Sequence, residues 1–82
     1  MKLEIVTPDE IYFSGEVDLV TVPGTKGRFT VLENHAAIIS SLNAGNITYR
    51  VKNVESYVMI SGGFIEVSNN IVSIAVEGVT HE

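Results

Sequence analysis

The chain has 82 residues, 45% of them hydrophobic and none of them cysteine, which suits one domain over residues 1–82 and excludes a disordered chain or a disulfide-stapled fold. Five basic and ten acidic residues give a net charge of −5. We expect no nucleic-acid partner, because binding the phosphate backbone needs clustered cations. No apolar run approaches the ~20 residues of a membrane span, and we expect no direct membrane insertion.

Alternating apolar and polar residues predict strands in the first part of the chain. Residues 2–7 form a half-buried strand with Leu3 and Ile5 facing inward. Residues 11–22 predict two strand pieces, separated by a bulge or bend at Ser14 and Gly15. The second piece is apolar on both faces, so one face is a candidate for contact with another molecule.

The middle of the chain predicts a crossover between two sheets. A turn at residues 23–27 precedes a short strand at 29–31. Asn34 and His35 then form a polar corner. Residues 36–42 are the next extended piece, although their alanines also allow one helical turn. This strand–corner–strand order is how a sandwich passes its chain from one sheet to the other.

The last third predicts further short strands. Apolar and polar residues alternate over 47–52, which predicts a strand, and a hairpin turn is predicted at 53–56. Residues 57–68 predict a long strand broken by two glycines. Residues 69–70 suit a tight hairpin, and 71–76 form the last strand. No helical periodicity is sustained, so we predict an all-β barrel or two-sheet sandwich.

No catalytic or metal-binding pattern accompanies the ionisable residues. His35 has Glu33 and Asn34 beside it but no Ser or Cys nucleophile pattern. A corner histidine that makes a backbone hydrogen bond or an interface contact is the favoured interpretation. His81 is the only other histidine, and no further ligands stand at metal-site spacing. We therefore expect a protein that is not an enzyme and binds no cofactor or metal.

Two glycine-containing segments allow alternative interpretations. Gly24-Thr25-Lys26-Gly27 matches the Gly-x-x-Gly loop of nucleotide-clamping domains, but both flanks read as strand, which favours a hairpin turn. Lys26 on such a turn also leaves open a lipoyl- or biotinyl-type carrier domain. Gly62 and Gly63 weaken a strand, so they indicate a kink between sheets or close packing against another subunit.

Five pieces in order carry a family resemblance over nearly the whole chain. They are Phe13-Ser14-Gly15, Val20-Thr21-Val22-Pro23-Gly24, Gly27-x-Phe29-x-Val31-Leu32-x-Asn34-His35-Ala36, Leu42-x-x-Gly45, and Ser61-Gly62-Gly63-Phe64-Ile65-Glu66-Val67 followed by Asn70-x-Val72. Together they resemble the N-terminal domain of the epsilon subunit of bacterial F-type ATP synthases. The resemblance implies a β-sandwich of about ten short strands.

The resemblance also implies a function without catalysis. It places the chain in the central stalk, or rotor, at the cytoplasmic face of the bacterial inner membrane, as a peripheral subunit that is a monomer when isolated. There it fastens the c-ring to the gamma subunit, so that ion-driven rotation is coupled to ATP synthesis. By position, Thr7, His35 and Ser40 face gamma, and the c-ring is met by a turn consisting of Lys26, Gly27, Arg28 and Phe29.

Three departures from the family pattern are visible. The family usually has an acidic residue at Arg28, so either the ring loop differs here or the contact shifts to neighbouring residues. Prolines common around the corner are replaced by Glu33 and Ala37. Family members usually continue into a C-terminal helical hairpin, whereas this sequence stops at Glu82. On this chain alone we expect neither hairpin-type inhibition nor an ATP site.

Overall fold

Ten strands and no helix make up the described part of the chain, residues 1–80 of the computed structural model. His81, considered above as a metal ligand, lies outside the described residues. The strands are β1 Lys2–Val6, β2 Ile11–Glu16, β3 Leu19–Gly24, β4 Gly27–Leu32, β5 Ile38–Leu42, β6 Gly45–Val51, β7 Val54–Ile60, β8 Gly63–Ser68, β9 Ile71–Val76 and β10 Val79–Thr80. The prediction of an all-β fold with about ten short strands is confirmed.

The ten strands form two half-sheets joined at one point. Their hydrogen-bonded order is β10-β7-β6-β3-β5-β8-β9-β1-β2, with β4 paired to β3. β3 and β5 share a single ladder pair, Gly24 with Leu42. We call β10, β7, β6, β3 and β4 the first half-sheet, and β5, β8, β9, β1 and β2 the second. The crossover predicted around the corner is the connection from β4 to β5, which carries the chain between them.

Both half-sheets contribute to one hydrophobic core. Val20, Val22 and Ile47 of the first half-sheet and Leu3 and Ile65 of the second are completely buried in the same cluster. Burying each such side chain contributes about 1.5–3 kcal/mol, and the alternation of each strand places these residues on one face. The two-sheet sandwich predicted from the sequence is therefore the architecture, with its outer faces left for solvent or partners.

The first chain break lies later than the sequence predicted. Ser14 and Gly15 continue β2 and pair with Glu4 and Leu3 of β1. The break falls at Val17 and Asp18, where the Val17 amide donates to Met1 (2.9 Å) and the Asp18 amide donates to Arg50 (2.7 Å). Since the chain there leaves the second half-sheet for the first, the break follows from topology rather than from a glycine.

The turns are shorter than predicted, because strand residues extend into them. β3 and β4 pair up to Gly24 and Gly27, so the predicted turn at 23–27 reduces to two residues. The turn predicted at 53–56 lies at Lys52 and Asn53, both with positive φ (48° and 69°), as a two-residue primed hairpin requires. The hairpin at residues 69–70 is confirmed, with φ of 51° and 64°.

The end of the sandwich also differs from the sequence prediction. Residues 71–76 were predicted to be the last strand, but Val79 and Thr80 form β10 against β7. Two residues are too few to leave a periodic pattern, so this edge strand is visible only from its pairing.

The Gly62–Gly63 pair is explained by the backbone around it. Gly62 has φ +144°, and a Cβ on Gly63 would overlap the Ala75 carbonyl oxygen. The pair lies where the chain passes from β7 in the first half-sheet to β8 in the second. The interpretation as a kink between sheets is therefore confirmed.

Candidate subunit-binding surfaces

An apolar patch lies on the outer face of the second half-sheet. We define the Phe64 patch as Val6, Ile39, Phe64 and Ala75. Phe64 pairs across the ladder with Ala75, which pairs with Val6, while Ile39 lies on the neighbouring strand β5. Ile39 is 75% exposed and Phe64 63%. Single exposed apolar residues are ordinary, but neighbouring ones that line a cleft of about 380 Å³ make this face a candidate binding surface.

The neighbouring row of the same face is acidic and polar. Glu66 pairs with Ser73, which pairs with Glu4, and all three line the cleft of the Phe64 patch. An apolar centre with a charged rim is the usual anatomy of a protein–protein contact. The patch therefore suits an apolar partner segment whose borders carry positive charge.

The β3–β4 hairpin forms a second surface beside β5. The Thr25 amide donates to the Ser41 carbonyl (3.1 Å), and the hydroxyls of the two residues are 2.8 Å apart. A cleft of about 610 Å³ separates the hairpin from β5, and its lining includes all four residues that the resemblance assigns to the c-ring contact, together with Ser40. We call this space the hairpin cleft.

Two glycines allow the hairpin to close. Gly27 has φ +129°, in the region that favours glycine. A Cβ on Gly24 would lie 2.7 Å from the Gly27 carbonyl oxygen and 2.8 Å from the Phe29 ring. The turn therefore presents Thr25 and Lys26 from a closely packed base.

Arg28 does not extend freely from the hairpin. Its Nη1 donates to the Asn46 carbonyl oxygen at 2.7 Å and its Nη2 donates to Thr48 Oγ1 at 3.4 Å. Both acceptors belong to β6, so the guanidinium lies against the outer face of the first half-sheet. Lys26, by contrast, is exposed and makes no hydrogen bond or ion pair with the other residues of the described chain, 1–80.

The residues assigned to gamma are spread over the second half-sheet. Thr7 follows β1, where its hydroxyl accepts from the amides of Asp9 (3.2 Å) and Glu10 (3.1 Å). His35 lies in the corner at the opposite end of the strands, and Ser40 lies within β5 on the side of the hairpin cleft. The structure does not gather the three into one cluster. Sequence reasoning missed Ile39 and Phe64, although Phe64-Ile65 as consecutive apolar residues in a strand already required one of them to face outward.

The outer face of residues 17–22 is less open than the sequence indicated. Val17, Val20 and Val22 are buried, and Leu19 and Thr21 are half-buried. Exposed apolar surface is found instead next to the Gly62–Gly63 pair, at Phe64.

A polar cluster fixes the corner that holds His35. The His35 amide donates to Leu32 (3.1 Å), and its Nδ1 lies 2.7 Å from the Ala36 carbonyl oxygen. Asn34, at φ 62°, donates its amide to Asn70 Oδ1 (2.8 Å). The Asn70 side chain donates to Glu33 Oε1 (3.3 Å). The same oxygen accepts a hydrogen bond from the Met1 ammonium (3.0 Å).

The ion pair in this cluster gives stability a defined pH window. The hydrogen bond to Glu33 raises the pKa of the Met1 amine above 8.0, and the same bond, with one from Asn70, lowers the pKa of Glu33 below 4.5. The raised pKa of the amine contributes stability below pH 8, and this stability is lost as the pH rises. The lowered pKa of the carboxyl contributes stability above pH 4.5, and this stability is lost as the pH falls. The pair therefore stabilises between these limits.

Glu33→Gln is expected to lower the urea midpoint between pH 5 and 7.5, and the deficit is expected to shrink as the pH falls below 4.5. The effect is small, because the carboxylate is exposed and screened by salt. Urea unfolding followed by circular dichroism across this pH range measures it. Glu66→Gln, at an exposed position on β8, is the matched control. A Glu33→Gln deficit that is constant with pH would contradict the ion pair.

No cluster of ionisable groups suggests chemistry in residues 1–80. In that part of the chain no three His, Asp or Glu side chains stand close enough to hold a metal ion. Shifted pKa values occur at the Met1 amine, Glu33 and Tyr49, whose phenol pKa is raised by burial and by Tyr12. Tyr49 packs in the core. The described part of the chain contains no helix that could span a membrane.

The fold is that of a small β-sandwich domain with an apolar patch on one outer face and two cations, Lys26 and Arg28, on the hairpin beside it. Comparison with known proteins shows the family to which the chain belongs. The model of the ATP synthase Delta/Epsilon chain beta-sandwich domain matches residues 1–82, and the chain belongs to this family.

Proteins of similar sequence support this family assignment. The chain is 47% identical over 77 residues to the ATP synthase epsilon chain of Maridesulfovibrio salexigens, covering 94% of this chain and 54% of the relative. It is 43% identical to that of Nitratidesulfovibrio vulgaris, covering 94% and 58%. The chain therefore spans just over half the length of these relatives.

Solved structures share the fold. A chain of the Euglena gracilis mitochondrial ATP synthase (OSCP/F1/c-ring, rotational state 1) matches with TM-score 0.89 and 25% identity, covering 95% of this chain and 51% of that one. A chain of the Tetrahymena thermophila mitochondrial ATP synthase central stalk and c-ring matches with TM-score 0.83 and 21% identity, covering 96% and 64%. The latter likeness concerns the fold alone.

Proposed function

We propose that this chain acts as the β-sandwich part of an ATP synthase epsilon subunit, a non-catalytic component of the central stalk that joins the gamma subunit to the c-ring. Family membership over the whole chain carries the proposal. In this role the domain is peripheral, at the cytoplasmic face of a bacterial inner membrane. The alternative of a carrier domain with modified Lys26 receives no support from the comparisons.

The Phe64 patch is the proposed contact with gamma, together with Thr7, His35 and Ser40 as the resemblance assigns them. The patch supports this because its apolar centre gains free energy when covered, at about 25 cal/mol per Å² of area removed from water. Lys26, Gly27, Arg28 and Phe29 form the proposed contact with the c-ring.

The two proposed contacts share a border. Ile39 lines both the cleft of the Phe64 patch and the hairpin cleft, since β5 lies between them. Two partners held on adjoining faces of one sandwich are joined through strands and tight turns, which hold position better than mobile loops. Torque passed from ring to gamma would thus cross a short, stiff path through β5.

Co-purification with the gamma subunit of the same organism tests the proposal. The tagged chain is expected to retain gamma on a column and to co-elute with it in gel filtration. Intact mass measurement on the same sample checks for lipoate or biotin on Lys26. Failure to bind gamma while circular dichroism shows both proteins folded would contradict the proposal, and a modified Lys26 would favour the carrier domain.

A further inference from the structure

The hairpin cleft is positively charged in a chain that is strongly acidic. The sequence has five basic and ten acidic residues, yet the cleft is lined by Lys26 and Arg28 and by no carboxylate among the described residues. The acidic rim of the Phe64 patch lies on the other side of β5. The two adjoining faces thus have opposite electrostatic character.

The two cations of the cleft have different roles. Arg28 is held by its bonds to the Asn46 carbonyl and to Thr48, so its charge stays at the base of the hairpin. Lys26 stands exposed at the tip of the two-residue turn. A lysine ammonium is a flexible point charge with three donors, which suits a single carboxylate brought by a partner.

Hydroxyl groups complete the surface of the cleft. Thr25 and Ser41 bridge its floor, with their oxygens 2.8 Å apart, and Ser40 also lines it. Ser40 Oγ already donates to the Ser41 carbonyl oxygen (3.1 Å), so the donor left for a carboxylate that Lys26 attracts is the one hydroxyl of the Thr25–Ser41 pair whose proton is not shared between them. Their hydrogen bonds also hold the hairpin against β5, so the cleft is largely formed before a partner arrives.

We infer that the hairpin cleft binds an acidic loop, one that carries Asp or Glu, on the rotor ring. This inference rests on the proposed function, which supplies the ring as the partner. An anionic lipid surface fits the site less well, because two cations neutralise little charge while the remainder of the chain is repelled. A basic or neutral ring loop would bring no negative charge to Lys26 or to Arg28, whose own hydrogen bonds go to neutral oxygens of β6.

Charge reversal at Lys26 tests the inference. The probe is a detergent-solubilised c-ring carrying gamma, from the organism that encodes the chain. Lys26→Gln is expected to weaken binding about two- to fivefold and Lys26→Glu at least tenfold, because like charges then face each other. Binding of the wild-type chain should weaken with salt more steeply than binding of Lys26→Gln.

Two controls separate the cleft from other effects. Lys52→Gln and Lys52→Glu alter a lysine on the β6–β7 hairpin, at the opposite end of the strands, and are expected to bind as wild type. Binding to gamma alone should be equal for all variants. If the chain binds gamma and the ring adds no affinity, only this inference is contradicted. If the chain binds neither gamma nor the ring, the proposed function is contradicted as well.

Reciprocal changes and lipid vesicles complete the test. Reversing the ring-loop carboxylate to lysine is expected to restore binding of Lys26→Glu. A ring loop without Asp or Glu, or a Lys26→Glu chain that binds the ring as wild type, would overturn the inference. A lipid result would also overturn the inference. In that result the wild-type chain binds vesicles of equal parts phosphatidylglycerol and phosphatidylcholine, and Lys26→Glu abolishes vesicle binding but keeps ring binding.

Discussion

Gly63→Ala is expected to destabilise the chain by about 3 kcal/mol, at the upper end of the range for overpacked sites. The added Cβ would overlap the Ala75 carbonyl oxygen and lie 3.0 Å from the Val76 Cα. Both contacts are backbone atoms of the strand that pairs with β8, so no side-chain rotation relieves them. A domain of this size has only ~4–12 kcal/mol in total, and the change should be plain in its urea midpoint.

Gly78→Ala is the matched control for this prediction. A Cβ on Gly78 would have one neighbour within 4 Å, the Ser61 hydroxyl oxygen at 3.4 Å, and Gly78 has no positive φ. It should change the free energy of unfolding by less than ~0.5 kcal/mol, as is usual for substitutions away from special features. Equal effects of the two substitutions would show that the approach of β8 to β9 is looser than the structure has it.

The longer strands could be predicted because each carries its own signal, which the two-residue β10 does not. The alternation in residues 47–52 follows from one buried and one exposed face, and the paired asparagines at 69–70 accept positive φ cheaply. The turn at Lys52 and Asn53 was misplaced because lysine is not typical of such positions. Its conformation is fixed by the seven pairs of β6 with β7 rather than by the turn residues.

The candidate binding surfaces could be predicted only in part. Position in the family pattern pointed to the β3–β4 turn, and the structure places its residues around one cleft. The Phe64 patch could not be found in this way, because Ile39 and Phe64 are 25 positions apart and meet through the β5–β8 ladder. In the same way, the pairing of Arg28 with β6 depends on β3 lying between them. Local patterns carry no information on such neighbours.

Phe64→Ala is expected to weaken binding to gamma by about 2 kcal/mol, or about thirtyfold in Kd, while the free energy of unfolding changes little. The ring is 63% exposed in the described chain and forms the centre of the Phe64 patch. Exposed aromatic side chains that become fully covered dominate binding energies, whereas truncating them costs the isolated domain almost nothing.

Tyr57→Ala provides the comparison that makes this prediction specific. Tyr57 is an aromatic residue of similar exposure, 66%, but it lies on β7, on the outer face of the first half-sheet. If gamma covers the second half-sheet, Tyr57→Ala should bind within about twofold of wild type, because residues outside an interface contribute little to it. Titration calorimetry of both variants with gamma, beside their urea midpoints, gives the two quantities. Loss of binding in Tyr57→Ala with Phe64→Ala unaffected would place gamma on the opposite face of the sandwich, and equal losses with lowered midpoints would show unfolding rather than a lost contact.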